Sequence, residues 1–429
     1  MRKSLTIVIA AVLFAALLAA GISACGSGSG ANAVTSGSTG AATQSSATTQ
    51  AGAGAQAGET VTITDQAGRQ VTIPKNIKTV FCTSPMGTNL VYMLAPDRLA
   101  GWNVKPTAIE KEYIPEKYWN YVGLGGWYGK GTTGNVEEII KRAPDVVLSV
   151  GTHDSSAVDE ANRIQGLLNI PVVVVDGLLD ESGSALRYIG NLLGVQERAE
   201  ELASYCDGVI AEAKANAAKL TDAQKVTVYY AEGMKGLNTD PAGSEHTEIF
   251  DLIGAKNVAQ VESSDYGMAP VSLEQVLAWN PQAIFVASDK DQESTAYHDI
   301  STGTDWRTIS AVKNGKVYQI PRGPFDWFDR PPCIARILGV RWIGNLLYPD
   351  LYKYDMKAEV TKFYKLFYQM DLTDAQYDTL MKDATNAAGA APAGGETTTT
   401  AAGAAAAAGA LDVKGLVATA KTYSAADLK

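Results

Sequence analysis

The sequence predicts an α/β protein of two Rossmann-like lobes with parallel sheets, joined by one long connecting helix. Three observations predict it: a helix–proline–strand unit that occurs once in each half, strands alternating with helices through both halves, and a proline-free run of helix formers between them. Residues 135–148 read Asn-Val-Glu-Glu-Ile-Ile-Lys-Arg-Ala-Pro-Asp-Val-Val-Leu, and residues 272–285 read Ser-Leu-Glu-Gln-Val-Leu-Ala-Trp-Asn-Pro-Gln-Ala-Ile-Phe. Each opens on a good N-cap, Asn135 or Ser272, and continues with apolar residues at helical spacing. Each stops at Pro144 or Pro281, which cannot continue a helix. Each then enters an apolar run of strand length, 146–150 or 283–287. The matched order of cap, Glu, apolar pair, proline and strand argues against coincidence.

The remaining elements follow in chain order. Arg2 and Lys3 precede an apolar run from Leu5 to Ala20, which ends in Ile22-Ser23-Ala24-Cys25. A positive start, a short apolar stretch and small residues form the pattern of a secretory signal over 1–25. The run is short for a spanning helix, which needs about 20 apolar residues. Cys25, directly after small residues, resembles the bacterial lipobox. That resemblance implies an acylated cysteine holding a soluble domain at a membrane face. Residues 26–58 are almost only Ser, Gly, Ala, Thr, Gln and Asn, and read as a flexible tether.

The first lobe is expected over 59–182. In it, Lys78 to Thr83 is a strand leading to Ser84-Pro85-Met86 and an apolar helix through Leu94. Pro171 to Val175, a run of valines, reads as a strand covered on both faces. A connecting segment follows over 183–222. Its stretch from Val195 to Leu220 is rich in strong helix formers, and would reach roughly 35–40 Å as a helix. The second lobe is expected over 223–385, with strands at 226–230 and 316–320 and helices at 248–252 and 334–347. Gly315 marks a tight turn into the last of these strands. Residues 386–429 read as a low-complexity tail, of which 411–429 could form a short amphipathic helix.

Between the tethers lie about 325 residues, more than one core usually accommodates, which supports two lobes. The chain carries 36 Lys and Arg against 46 Asp and Glu, a formal net charge of −10, and has no basic cluster. That balance argues against nucleic acid as a partner. Besides Cys25 there are Cys82, Cys206 and Cys333, which imply no disulfide framework and allow one bridge without choosing the pair. There is no G-x-S-x-G elbow, no H-E-x-x-H and no credible Ser/His/Asp order, which argues against an exported hydrolase and leaves it the weaker alternative. No resident cofactor is indicated.

Four further stretches occur in a telling order. Val61-Thr62-Ile63-Thr64-Asp65-Gln66-Ala67-Gly68-Arg69 contains D-x-x-G-R. Ser84-Pro85 falls in the first strand-to-helix loop, and Gly243-Ser244 in a glycine-containing loop of the second half. Asp326-Trp327-Phe328-Asp329-Arg330 forms an aromatic loop near its end. Over residues 60–384 the chain therefore resembles the solute-binding proteins of ABC importers for ferric siderophores, vitamin B12 and haem, some of which take molybdate or tungstate. The resemblance implies a monomer that performs no chemistry. It would capture a metal chelate between its lobes and deliver it to a permease and its ATPase, outside the cytoplasm at the cell membrane. A molybdate or tungstate oxyanion is the alternative solute. The resemblance also implies that Glu137 and Glu274, one per lobe, dock on permease arginines. A carboxylate in a first helical turn gains about 0.3–1 kcal/mol from the helix dipole, so each has a structural reason to be there as well.

In open α/β lobes ligands lie beyond the carboxyl ends of the strands. The loops expected there supply Met86, Trp102, Trp127, Tyr128, Lys130 and His153 from the first lobe. The second lobe supplies Glu232, Met234, Lys235, His246, Arg322, Asp326, Trp327, Phe328, Asp329 and Arg330. Aromatic faces offer large apolar contact, and Arg and Lys pair with carboxylate or oxyanion groups. With only three His in the chain, His153 and His246 read as polar cleft residues rather than ligands of a naked metal ion.

Overall fold

The computed structural model describes residues 59–129, 132–262, 268–287 and 294–385, with the backbone of two short strands at 410–413 and 421–424. The signal segment with Cys25, the tether, Lys130 and most of the tail lie outside the described residues.

The chain enters as an antiparallel hairpin, Thr60–Thr64 with Gln70–Pro74, that turns at Gly68 with φ +82°. Buried Asp65 accepts the backbone N–H groups of Ala67 and Arg69 at 3.2 and 2.8 Å, and Arg69 Nε at 2.9 Å. It also accepts the N–H of Val174 at 3.1 Å. The D-x-x-G-R stretch thus ties the hairpin to the edge of the first sheet.

That sheet is parallel, ordered Val80–Cys82, Val146–Gly151, Val172–Asp176. Helices Pro85–Leu94, Ser155–Leu168 and Ser182–Leu193 pack on it, and Val172 to Val175 are fully buried, as a strand covered on both faces requires. The second sheet is also parallel, ordered Val317–Gln319, Ala283–Val286, Thr227–Ala231, Lys256–Asn257.

The sequence echo is a structural echo down to its hydrogen bonds. Helix Val136–Arg142 is capped by the Asn135 side chain on the N–H of Glu138; helix Leu273–Trp279 is capped by Ser272 on that of Gln275. Both helices end on a left-handed residue, Ala143 at φ 47° and Asn280 at φ 46°, immediately before the proline. The next residue, Asp145 or Gln282, then accepts backbone N–H groups at the start of the neighbouring strand, at Thr79 or Thr227.

Between the sheets runs a single helix, Gln196–Ala217, whose 22 residues span about 33 Å. Its buried stripe includes Leu202, Cys206, Val209 and Ile210, and it packs on Ser182–Leu193 on one side and Arg336–Leu347 on the other. The contact with Ser182–Leu193 is backbone-close. A Cβ at Gly190 would lie 2.1 Å from the Cβ of Ala199, and one at Gly183 would lie 2.0 Å from Asp207 Oδ1.

The lobes do not have wholly separate cores. Each keeps an outer cluster, around Phe81, Ile139 and Ile164 in the first and around Tyr229, Ile284 and Ile300 in the second. Between them one apolar cluster continues from Val80 and Val173 through the linking helix to Phe285, Trp342 and Phe363. Polar struts reinforce this side. Arg322 pairs with Glu110 at 2.7 Å, Gln376 Nε2 donates to Glu112 O at 2.8 Å, and Arg198 Nη2 donates to the carbonyls of Leu366 and Met93. Cys82, Cys206 and Cys333 are buried free thiols, so the bridge that their number allowed is not formed among them. The closing segment is also corrected: instead of an amphipathic helix, Ala410–Val413 pairs antiparallel with Lys421–Ser424.

Replacing Gly190 by Ala should lower the unfolding free energy by about 1–3 kcal/mol, read as a lower urea midpoint, because the helices cannot separate without opening the core. Gly166→Ala, at a helical glycine with open space around it, should instead be neutral or stabilise by up to about 1 kcal/mol. Equal effects at both positions would contradict the packing described.

Candidate functional site

A cleft of about 980 Å³ opens between the carboxyl ends of the two sheets. Its first wall is Thr83 to Met86, Trp127 to Gly129 and Ser149 to Thr152; its second is Pro241 to His246 with Arg330 to Pro332.

The first wall is organised by a residue that the sequence did not single out. Asn103, buried, donates from Nδ2 to Cys82 O at 2.8 Å and to Gly125 O at 2.7 Å, and accepts from Thr88 Oγ1 at 2.5 Å. It thereby holds the Gly125–Gly126 loop against the strand end. A Cβ at Gly126 would sit 2.2 Å from Thr83 O, so only glycine allows that approach. Trp127 then donates its backbone N–H to Thr83 O at 2.8 Å, with its ring edge-on to Phe81, and is one of the residues lining the cleft. Helix Pro85–Leu94 points its amino end at the same space. Ser84 turns its hydroxyl to Val150 O at 3.4 Å and makes no side-chain cap; Pro85 has no N–H and Thr88 donates to Ser84 O at 3.2 Å, so the N–H groups of Met86 and Gly87 are the ones left without a cap.

The second wall is a charge cluster. Strand Thr227–Ala231 ends at buried Glu232, and buried Asp240 and Asp329 converge on it. Arg330 donates from Nε to Glu232 at 2.5 Å and from Nη2 to Asp240 at 2.5 Å, with Asp329 at 3.6 Å. Its backbone is left-handed at φ 56°, a strained conformation for a non-glycine residue. His246 Nδ1 lies 2.8 Å from Asp329 Oδ1.

Burial, reinforced by the charge of Asp240, pushes the Glu232 carboxyl up to about 9. Burial also raises Asp240. On His246, burial pulls downward, but the bond to Asp329 and the charges of Asp329 and Asp240 outweigh it and raise the imidazole. Asp240, His246 and Asp329 also offer ligand atoms within 4.8 Å of each other, a grouping that the scarcity of His had argued against. Yet His246 Nδ1 and one oxygen of each aspartate are already engaged, and the Arg330 cation lies in the same cluster. Charge therefore favours an arginine clamp over a divalent ion.

Of the expected ligand contacts, Met86, Trp127, Tyr128, His246 and Arg330 come together in the cleft. The others do not. Trp102 is buried, with its indole N–H on Tyr118 O at 2.8 Å. His153 pairs with Asp176 at 3.1 Å in a separate crevice beside Asp180, Lys214 and Glu248. Met234 and Lys235 are exposed outside the cleft. Arg322 is consumed by the strut to Glu110. Asp326 is buried, pushed up to about 7 by burial, and accepts the N–H groups of Phe328 and Asp329, which shapes the loop. Trp327 and Phe328 are fully buried, Trp327 against Trp342 and Phe328 against Tyr230 and Phe250. The aromatic loop is therefore an anchor that drives its hydrophobic residues inward and delivers Arg330 to the surface. Glu137 and Glu274 are both exposed at their matched helix starts, and the latter is held below the usual carboxylate range by its own backbone N–H and by Ser272.

Known proteins share this architecture. A family model described as "Periplasmic binding protein" matches residues 80–323. The molybdate-binding protein MolA of Haemophilus influenzae is 26% identical over 340 residues, covering 72% of this chain and 90% of that protein. The ABC transporter substrate-binding lipoprotein YvrC of Bacillus subtilis is 25% identical, covering 68% and 87%. The solved structure of an ABC transporter solute binding protein from Sulfurospirillum deleyianum is 29% identical and superposes with a TM-score of 0.68, covering 75% of this chain and 99% of that one.

A folded-state Glu232 that ionises only near 9 contributes stability fully present below its unfolded value of about 4.5 and lost as pH rises through about 9. Glu232→Gln fixes the neutral form, and should flatten that part of the fall in unfolding midpoint between about pH 5 and 9. An unaltered slope would show that Glu232 is ionised in the folded chain.

Proposed function

The chain belongs to the periplasmic binding protein family, and we propose that it captures a metal chelate bearing anionic groups in the cleft between its lobes. As a solute-binding protein of an ABC transporter it acts outside the cytoplasm and is not an enzyme. The cleft volume of about 980 Å³ carries the reading of solute size, since it lies at the upper end of small-molecule sites at roughly 300–1,000 Å³. A single tetrahedral oxyanion would fill little of it. The walls fit a chelate: Trp127, Tyr128 and Met86 offer apolar and aromatic contact, and Arg330, His246 and the uncapped helix end offer donors. Relatives named for Fe(3+)-citrate and for vitamin B12 are consistent with solutes of this size.

A second reading, molybdate or tungstate, is favoured by the relative named for molybdate and by the same donors. We read Cys25 as the lipid-bearing residue that holds the domain at the membrane, with the first and second lobes over 59–182 and 223–385. The exposed pair Glu137 and Glu274, presented alike by the duplicated helix starts, supplies the permease contact. Two carboxylates at equivalent places on the two lobes suit a basic, two-fold-like dock and steer association electrostatically.

Equilibrium titrations with ferric citrate, cobalamin and molybdate should identify the solute. Trp127→Ala should weaken the one that binds by about tenfold, or ~1.4 kcal/mol. Unchanged affinity would remove this wall from the site. The double variant Glu137→Ala with Glu274→Ala should abolish uptake in cells and leave affinity within about twofold, below ~0.5 kcal/mol. Lost affinity in that variant would mean the pair belongs to the solute site instead.

A further inference from the structure

We propose that Glu248 is a positioning residue for solute capture. Held by Arg336, it ties the first-lobe loop at Leu179 to the second-lobe turn at 245–247, and so sets the spacing of the two cleft walls. The proposal rests on the reading of the cleft as the solute site, but neither Glu248 nor Arg336 lines that cleft.

A continuous run of contacts leads from one wall to the other. Met86 and Gly151 line the cleft in the first lobe. Behind them Gly177 donates its N–H to Gly151 O at 2.8 Å, and a Cβ on Gly177 would lie 2.4 Å from Met86 Sδ. The loop after strand Val172–Asp176 therefore rests directly on the wall. Two residues on, buried Leu179 begins a short 3-10 turn and donates its N–H across the lobes to Glu248 Oε2 at 3.2 Å. The same oxygen accepts Arg336 Nη1 at 3.0 Å, and that nitrogen also donates to Glu245 O at 3.0 Å. Glu245 and His246 belong to the turn that lines the second wall.

Burial explains why the contact is held in place. Arg336 is 3% exposed, and a cation at that depth needs a carboxylate beside it, which Glu248 supplies. Glu248 is thus fixed as an acceptor at the lobe boundary, and the Leu179 N–H meets it there. The seam has little slack to absorb a shift. Met86 and Gly177 on one side, with Cys333, Ile334 and Arg336 on the other, leave about 10 Å³ between them, roughly the room of one water molecule. The Arg322–Glu110 pair crosses between the lobes at a separate place, in a small cavity with Trp102 and Phe325. Two polar ties at separate places hold an angle between the lobes that one alone would leave free.

The first test needs no solute. Spin labels carried on azide-bearing residues introduced at Leu167 and Met234, exposed positions in the two lobes, give the inter-lobe distance in the full chain by pulsed electron paramagnetic resonance. Glu248→Ala should give a broader or displaced distance distribution. Glu248→Gln, which keeps an acceptor oxygen, should match the wild type. Because Glu248→Ala leaves the Arg336 charge unpaired and lowers stability, a second pair of variants keeps that ion pair intact. Leu179→Ala and Leu179→Pro both lose the buried side chain, but only Pro loses the N–H. Leu178, at φ −62° and ψ 149°, suits a following proline. In titrations with ferric citrate, cobalamin and molybdate, Leu179→Pro should bind the probe that saturates about tenfold more weakly than Leu179→Ala. In a Glu248→Ala background the two should bind alike, since the acceptor is gone. A lower Tm with equal affinities and an unaltered distance distribution would make the contact merely structural and overturn the proposal. If Trp127→Ala loses affinity while Leu179→Pro and Leu179→Ala bind alike, the cleft remains the solute site and the positioning role is wrong. If neither Trp127→Ala nor Leu179→Pro loses affinity, the cleft reading fails and takes the proposal with it. Should no probe bind, the distances decide: an unaltered distribution in both Glu248→Ala and Leu179→Pro overturns the proposal.

Discussion

The structure turns on the burial of three carboxylates around one arginine. Glu232, Asp240 and Asp329 lie behind the cleft wall where water cannot solvate them, and an unpaired charge at that depth would cost several kcal/mol. Arg330 supplies the compensating cation, and a proton on Glu232 removes one charge. This requirement fixes the loop from Asp326 to Arg330. Asp326 organises its backbone, Trp327 and Phe328 lock it into the core, and Arg330 meets the carboxylates while lining the cleft. The side chain that balances the carboxylates is thus also one that lines the cleft.

One linking helix, an apolar cluster that continues through it, and the Arg322–Glu110 strut join the two halves. A packed core deforms little, and with helices Ser182–Leu193 and Gln196–Ala217 in contact at glycine, sliding between them is blocked. The two halves thus share one continuous core through the linking helix.

Much of the fold was legible in the sequence because it is written in local signals. The Asn135 and Ser272 caps, the prolines at 144 and 281, the valine strand and the connecting helix each follow from propensity or periodicity, and each is found where expected. The site was legible only at its loops. Trp127 and Tyr128 fall in the loop before the first repeated helix, and His246 in the turn that leads into the helix at 248–252, helices that the sequence pattern locates. Trp327 and Phe328 misled because an aromatic loop near a cleft has the same composition whether its rings point in or out, and only their packing against Trp342, Tyr230 and Phe250 decides. His153 misled because the strand ending at Gly151 does feed the cleft, but the residue two positions on is drawn aside by Asp176. Asn103 carried no signal at all: its role comes from two carbonyls, at Cys82 and Gly125, brought together by tertiary contact.

The most direct test is hydrogen–deuterium exchange of the full chain, alone and with ferric citrate, cobalamin or molybdate in saturating amount. For the solute that binds, slower exchange should appear together at both walls, in 83–87 and 127–129 of one lobe and in 241–246 and 329–332 of the other. Protection limited to a single lobe, or centred on the His153–Asp176 crevice, would contradict capture between the lobes.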